Sequence, residues 1–112
     1  MSEGRKYDQG KCRLDLIPLD ALWETGKVYT MGASKYDDWN WASGINYSRV
    51  LAATLRHLFK WVMGERVDQQ DGQHHLSSVV WGALTLLHYD LNSERFSKFD
   101  DRRVGLWKEV WK

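Results

Sequence analysis

The stretch SRVLAATLRHLFKWVMG, Ser48–Gly64, decides the fold. Leu51, Leu55, Leu58 and Val62 recur at spacings of four, three and four, an apolar stripe of helical period. Ser48 is its predicted N-cap, because a serine oxygen accepts a bond from an otherwise unpaired first-turn amide. Gly64 is its predicted C-terminal cap, since glycine enters the left-handed region without steric cost. On the C-terminal side lies a polar loop, Glu65 to Gln73, with Asp71-Gly72 as a turn signal. A third helix is expected from about His74, with Leu76, Val80, Ala83, Leu87 and Leu91 as its apolar stripe and a break near Asn92-Ser93.

On the N-terminal side, Asp37 to Ser48 mixes turn formers with Trp39 and Trp41, which reads as a structured loop. Before it, Leu22, Trp23, Val28 and Met31 keep a rough helical spacing up to Gly32, interrupted by Gly26. Pro18 suits the first turn of that helix, where its missing N–H is not needed. Val104, Trp107 and Trp111, spaced three and four apart, suggest a short tail helix that docks on the core or on another subunit. Strand signals are weak throughout. The expected fold is therefore all-α: a small bundle of three main helices plus a short C-terminal helix. Residues 1–112 read as one domain, with a basic N-terminal arm over 1–17, a helical core over 18–93 and a tail over 94–112. So thin a core makes a homo-oligomer the expected state.

Composition narrows the function. The chain has 112 residues, 43% apolar and 28% charged, as a folded globule requires. No apolar run is long enough for a membrane span. The first residues lack the apolar core of a signal peptide, so a cytoplasmic protein is expected. A net charge of +1 gives no bulk attraction to nucleic acid, and none is expected as a partner. One cysteine, Cys12, excludes an internal disulfide and a cysteine-rich zinc site. Walker A, dinucleotide-fingerprint and nucleophile-elbow motifs are absent.

The middle helix carries a second stripe. Arg49, Ala53, Arg56 and Lys60 share one face, and Tyr47 to Lys60 contains no acid to pair with them. Charged side chains are mostly solvated, but an unneutralised arginine stripe also suits phosphate, which guanidinium grips with two parallel bonds. Lys6, Lys11 and Arg13 of the arm, together with Lys35, are candidates to converge on it. Trp39 and Trp41, with Tyr36, are candidates to stack a nucleobase. His57, Glu65, Asp68 and His75 are of ligand type for a divalent metal: His57, Glu65 and His75 as the metal set, His57, Glu65 and Asp68 as catalytic candidates.

Several segments in this order resemble a known family. They are Asp8-Gln9-Gly10-Lys11, Leu16-Ile17-Pro18, Gly32-Ala33-Ser34-Lys35-Tyr36, Trp39-Asn40-Trp41, Tyr47-Ser48-Arg49, Leu55-Arg56-His57-Leu58, Gly64-Glu65 with Asp68, and Gly72 before His75-Leu76. From about Lys6 to Tyr89 the chain is similar to the phage dATP/dGTP diphosphohydrolase N-terminal domain family. That resemblance points to MazG-type all-α nucleoside triphosphate pyrophosphohydrolases, which use a divalent metal. It implies conversion of dATP or dGTP with water into dNMP and pyrophosphate, with metal-activated water and Mg²⁺, Mn²⁺ or Co²⁺ as cofactor. MazG-type enzymes hold metal with Glu-x-x-Glu on one helix and Glu-x-x-Asp on the next. Here Ser48 to Met63 contains no acid. Two alternatives to hydrolysis therefore stand beside it. One is a non-catalytic protein holding a purine nucleotide, or a nucleotide-derived signal, in a cationic intersubunit pocket as an anti-defence sponge. The other is a small helical adaptor.

Overall fold

The computed structural model describes residues 3–111. Its three main helices are α1 (Leu19–Lys35), α2 (Tyr47–Val62) and α3 (His75–Leu91), followed by a single turn, α4 (Ser93–Phe96). Short 3₁₀ turns lie at Leu14–Leu16, Asn40–Ser43, Ser97–Phe99 and Val104–Trp107. No strand occurs among the described residues; the nearest thing is one antiparallel bridge, Val67 with His74. None of the helices is long and apolar enough to cross a membrane. The architecture is all-α, with α3 packed against both α2 and α1.

The helix boundaries show which local signals acted. Pro18 sits one step before α1 as its cap residue, and the helix runs through Gly26 and Gly32 as far as Lys35. The cap of α2 falls two residues earlier than expected, at Asn46, which makes no side-chain capping bond. Ser48 instead meets the tail. Its backbone N–H donates to Asp101 Oδ1 at 2.8 Å, and its hydroxyl donates to Asp101 Oδ2 at 2.5 Å. A carboxylate from more than fifty residues away thus satisfies the α2 N-terminus, where helix-dipole and amide interactions both favour negative charge. These bonds hold the Asp101 carboxyl below the usual range. Next to it, Arg102 forks onto Asp100 at 2.8 Å, which brings the Asp100 carboxyl down to about 2. Phe99 lies over Gly44, whose φ of +101° leaves no room for a side chain.

The interior is small and largely aromatic. Tyr47, Val50, Tyr89 and Phe96 are buried together, with Trp41, Ile45, Trp81, Leu86 and Phe99 packed around them. Tyr47 stacks on Tyr89 at 5.5 Å between ring centres, and the Tyr89 hydroxyl donates to the Trp41 carbonyl at 2.6 Å. Tyr29 reaches from α1 to Thr85 on α3 at 2.7 Å. Apart from Val28 and Gly82, the rest of the buried set is polar: Thr25, Asp68, His75, Ser77, Ser78 and Thr85.

The apolar stripes read from the sequence face the other way. Leu51, Leu55 and Val62 of α2 are exposed, as are Val80, Ala83, Leu87 and Leu91 of α3. Helix period is preserved, but the face turned toward the neighbouring helix is Tyr47, Val50, Thr54 and His57 on α2 and His75, Ser78, Gly82, Thr85 and Tyr89 on α3. Leu22 and Trp23 of α1 are exposed as well. Every described residue of the arm is exposed, as is the chain on to Trp23. The radius of gyration is 17.9 Å, against about 13 Å for a compact chain of this length. The tail forms a 3₁₀ turn at Val104–Trp107 and leaves Trp107 and Trp111 in solvent; Lys112 lies outside the described residues. Two tryptophans on so short a segment cannot sustain an α-helix without a surface to cover them.

Candidate functional site

The loop between α2 and α3 places the polar cluster. The Asp68 N–H donates to the Gln73 carbonyl at 2.9 Å, and the His75 N–H to the Arg66 carbonyl at 3.0 Å, closing a tight excursion. Gly72 turns it at φ +75°, a conformation that side chains other than Gly adopt at a cost. Asp68 Oδ1 accepts the Gln70 amide at 2.8 Å, fixing the carboxylate and leaving Oδ2 toward His57. The His74 side chain accepts the Leu76 amide and so caps α3. His75, one step on, is turned fully inward at 0% exposure.

Four residues then meet between α2 and α3. His57 Nδ1 and His75 Nδ1 are 2.9 Å apart. His75 Nε2 lies 2.8 Å from Glu65 Oε1, and His57 Nδ1 lies 3.9 Å from Asp68 Oδ2. A carboxylate only accepts, so His75 carries its proton on Nε2 and donates to Glu65. Its Nδ1 is then a bare lone pair, and in the metal-free protein His57 Nδ1–H donates to it. If the His57 proton moves to its other nitrogen, two imidazole lone pairs and a carboxylate oxygen face one point.

Donor atoms of His57, Asp68 and His75 lie within 4.8 Å of one another. The 2.9 and 3.9 Å separations bracket about 3.3 Å, the spacing of two donors around a tetrahedral ion with bonds of about 2.05 Å. Two imidazole nitrogens and a carboxylate are donor types that suit a divalent transition metal better than Mg²⁺. In this arrangement Glu65 stands behind His75, holding its tautomer and orientation, as an outer carboxylate does for a ligating histidine.

Burial lowers the His57 pKa, and the facing His75 lowers it further, while Asp68 and Asp71 oppose the shift. Neutral imidazole is the form that binds metal. The shift has a consequence for stability. Between the lowered folded value and about 6.5, the unfolded chain binds more protons at this group than the folded one, so stability rises with pH across that window and is lost on acidification. The Tm in metal-free buffer is expected to fall from pH 7.5 to pH 5, and His57→Gln to flatten part of that fall. An unchanged slope in the variant would remove His57 from the account.

A groove of about 1090 Å³ opens at the His57 and Asp68 side of this cluster. Lys35, Arg49, Arg56 and Lys60 line it, with His57, Asp68 and Asp71, and with Tyr36, Trp39 and Trp41 along the other side. Arg49, Arg56 and Lys60 form no ion pair among the described residues. Lys35 stands 5.3 Å from the centre of the Tyr36 ring. The arm residues lie elsewhere. Arg13 is engaged with Asp15 through two bonds of 2.8 Å, and Lys6 and Lys11 are exposed and outside the groove. Lys60 belongs to the same stripe as Arg49 and Arg56, and its spacing of four from Arg56 was enough to include it. Asp71 and Gln70 carried no such signal, because a loop has no period.

The sequence model of the family described as dATP/dGTP diphosphohydrolase, N-terminal, matches residues 1–102. A protein of Salmonella phage PMBT28, called dATP/dGTP diphosphohydrolase, is 35% identical over 100 residues, 89% of this chain and 33% of its own length. The chain thus spans about a third of that relative. No solved structure matches it. With the match covering both histidines, the acidic loop, the cation stripe and the aromatic loop, the chain belongs to the dATP/dGTP diphosphohydrolase N-terminal family.

Proposed function

We propose that the chain is a metal-dependent hydrolase of purine deoxynucleoside triphosphates, converting dNTP and water into dNMP and pyrophosphate. The observation that carries this reading is the convergence, in one groove, of His57 and Asp68, backed by the buried His75, with Lys35, Arg49, Arg56 and Lys60, which form no ion pair among the described residues. The name of the phage relative supports the substrate class. The bond broken joins the α-phosphorus to its bridging oxygen to the β-phosphorus, and the water oxygen ends on the nucleoside monophosphate.

His57, His75 and Asp68 would hold the metal, with Glu65 as the positioning residue behind His75. A bound divalent ion supplies Lewis-acid polarisation of phosphoryl oxygens and an acidified water. Arg49, Arg56, Lys60 and Lys35 do the rest of the electrostatic work. They neutralise the polyphosphate on binding and stabilise the charge that builds on the departing pyrophosphate. Trp39 and Trp41 border the same groove and offer faces to the base. A homo-oligomer is part of the proposal. Leu51, Leu55, Phe59 and Val62 on α2, and Val80, Leu87 and Leu91 on α3, are apolar and exposed. Each such side chain gains about 1.5–3 kcal/mol on full burial.

Incubation with each dNTP and Mn²⁺, Co²⁺ or Mg²⁺, followed by ³¹P NMR, tests the reading. The expected products are pyrophosphate and a purine dNMP. Arg56→Ala is expected to raise KM at least tenfold, because one charge-assisted phosphate contact is worth about 1.5–3 kcal/mol. Orthophosphate as the first product, or nucleotide recovered intact with every metal, rejects the proposed reaction.

A further inference from the structure

We propose that the cleft adjoining the cationic groove is a purine pocket selective for guanine, with Trp39 as its stacking platform and the Asp38 carboxylate as the reader of the base edge. The inference rests on the nucleotide reading above and deepens it. Two concave regions, of about 1090 and 740 Å³, share the side chains of Tyr29, Trp39 and Trp41. The larger holds the cations and His57. The smaller is walled by those aromatics and by Leu87 and Leu91, with Asp38 at its side.

Trp39 is the feature that packing does not explain. Its φ of 65° and ψ of 21° put it in the left-handed region, and it is the one non-glycine there among the described residues. That conformation is strained for a bulky residue. Burial does not repay it, because Trp39 is 71% exposed. If the turn alone mattered, glycine or asparagine would serve it better. What tryptophan adds is a broad flat ring, 6.0 Å from Trp41, at the junction of the two regions.

Asp38 supplies the selectivity. Its carboxylate has no hydrogen-bond or ion-pair partner among the described residues, although it borders an apolar cleft. A carboxylate offers two acceptor oxygens and no donor. Guanine presents N1–H and the N2 amino group side by side, which match both oxygens. Adenine sets a ring-nitrogen lone pair beside its amino group, so one oxygen meets repulsion. Hypoxanthine keeps N1–H but lacks the amino group. The ligand's direction follows: base toward Asp38 and the aromatic wall, phosphates toward Arg49, Arg56 and Lys60.

Titration of tryptophan fluorescence tests this with α,β-methylene analogues of dGTP, dITP and dATP, which resist cleavage, and with inorganic tripolyphosphate, all in Mn²⁺. The guanine analogue is expected to bind about tenfold more tightly than the other two, since an unmatched polar edge is penalised in a site built to bond it. Asp38→Asn is expected to erase that preference and leave tripolyphosphate binding within twofold. Trp39→Gly is expected to weaken all three nucleotides about tenfold, spare tripolyphosphate and raise the Tm, an outcome a merely structural tryptophan would not give. If Asp38→Asn keeps the base preference while tripolyphosphate still binds in an Arg56-dependent way, the guanine pocket is wrong and the phosphate site stands. If neither analogue nor tripolyphosphate binds, both fail.

Discussion

His57→Gln is expected to weaken Mn²⁺ or Co²⁺ binding at least a hundredfold and to reduce turnover by about a thousandfold or more, while the protein stays folded at neutral pH. The argument is one of donor count. His57 brings one of two imidazole nitrogens to a cluster whose remaining ligand is a single carboxylate oxygen, and metals of this class depend on nitrogen donors for their affinity. The side chain is partly open to solvent at 22% exposure, so its loss leaves no large void. Glu65→Gln should behave differently. Its carboxylate touches His75 Nε2 rather than the metal position, and outer partners of this kind are worth about 10–100-fold in affinity. Calorimetric titration with Mn²⁺, and the visible spectrum of the Co²⁺ form, separate the two roles. Native metal affinity in His57→Gln would sink the cluster as the metal site.

Gly82→Ala is expected to destabilise the protein by about 2 kcal/mol, the sum of two opposed effects. Alanine in a helix interior is favoured over glycine by about 1 kcal/mol. Here, however, a Cβ would overlap Thr54 Oγ1 and come within 3.0 Å of the Thr54 Cβ. Thr54 cannot swing away: it is β-branched, and its hydroxyl donates to the Val50 carbonyl at 2.7 Å. Pushing α2 and α3 apart costs about 3 kcal/mol at the upper end of overpacking, so the clash prevails. The Tm is expected to drop by about 5–10 °C. Thr54→Ala in the same chain should restore part of the loss, giving a positive coupling in a double-mutant cycle. The contact lies one turn of α2 from His57, so the close helix approach that Gly82 permits also sets the meeting of His57 with His75. A Tm unchanged in Gly82→Ala would mean the helices do not approach so closely.

The sequence carried the helices well and their orientation poorly. Periodicity in Leu51, Leu55, Leu58 and Val62 marks a helix whichever way it faces, and α2 is there. The usual rule then turns that stripe inward. In this chain the inward face holds Thr54, His57, His75, Ser78 and Thr85 instead; Thr54 donates to the Val50 carbonyl, Thr85 pairs with Tyr29 of α1, and His57 meets His75. The α2 cap was misplaced by two residues because Asp101, remote in the chain, supplies the bonds that a local cap would otherwise give. In the candidate site, the cation stripe was legible because it lies on one helix. The roles of Glu65 and Asp68 were not, since they depend on which oxygen of a folded loop faces which ring nitrogen. The arm cations looked equivalent to those of α2 in composition, yet an exposed segment has no reason to bring them to the groove.

Asp101 has a consequence for how the domain can be joined to others. The family match ends at residue 102, one step beyond the carboxylate that ties down the start of α2 and level with the Arg102–Asp100 fork. The Asp101–Ser48 bonds and the Arg102–Asp100 fork are therefore both made within the matched region. Whatever sequence is grafted after residue 102 inherits a sealed end, and a cut made upstream of Asp101 would unfasten a helix whose own amino acids lie half a chain away.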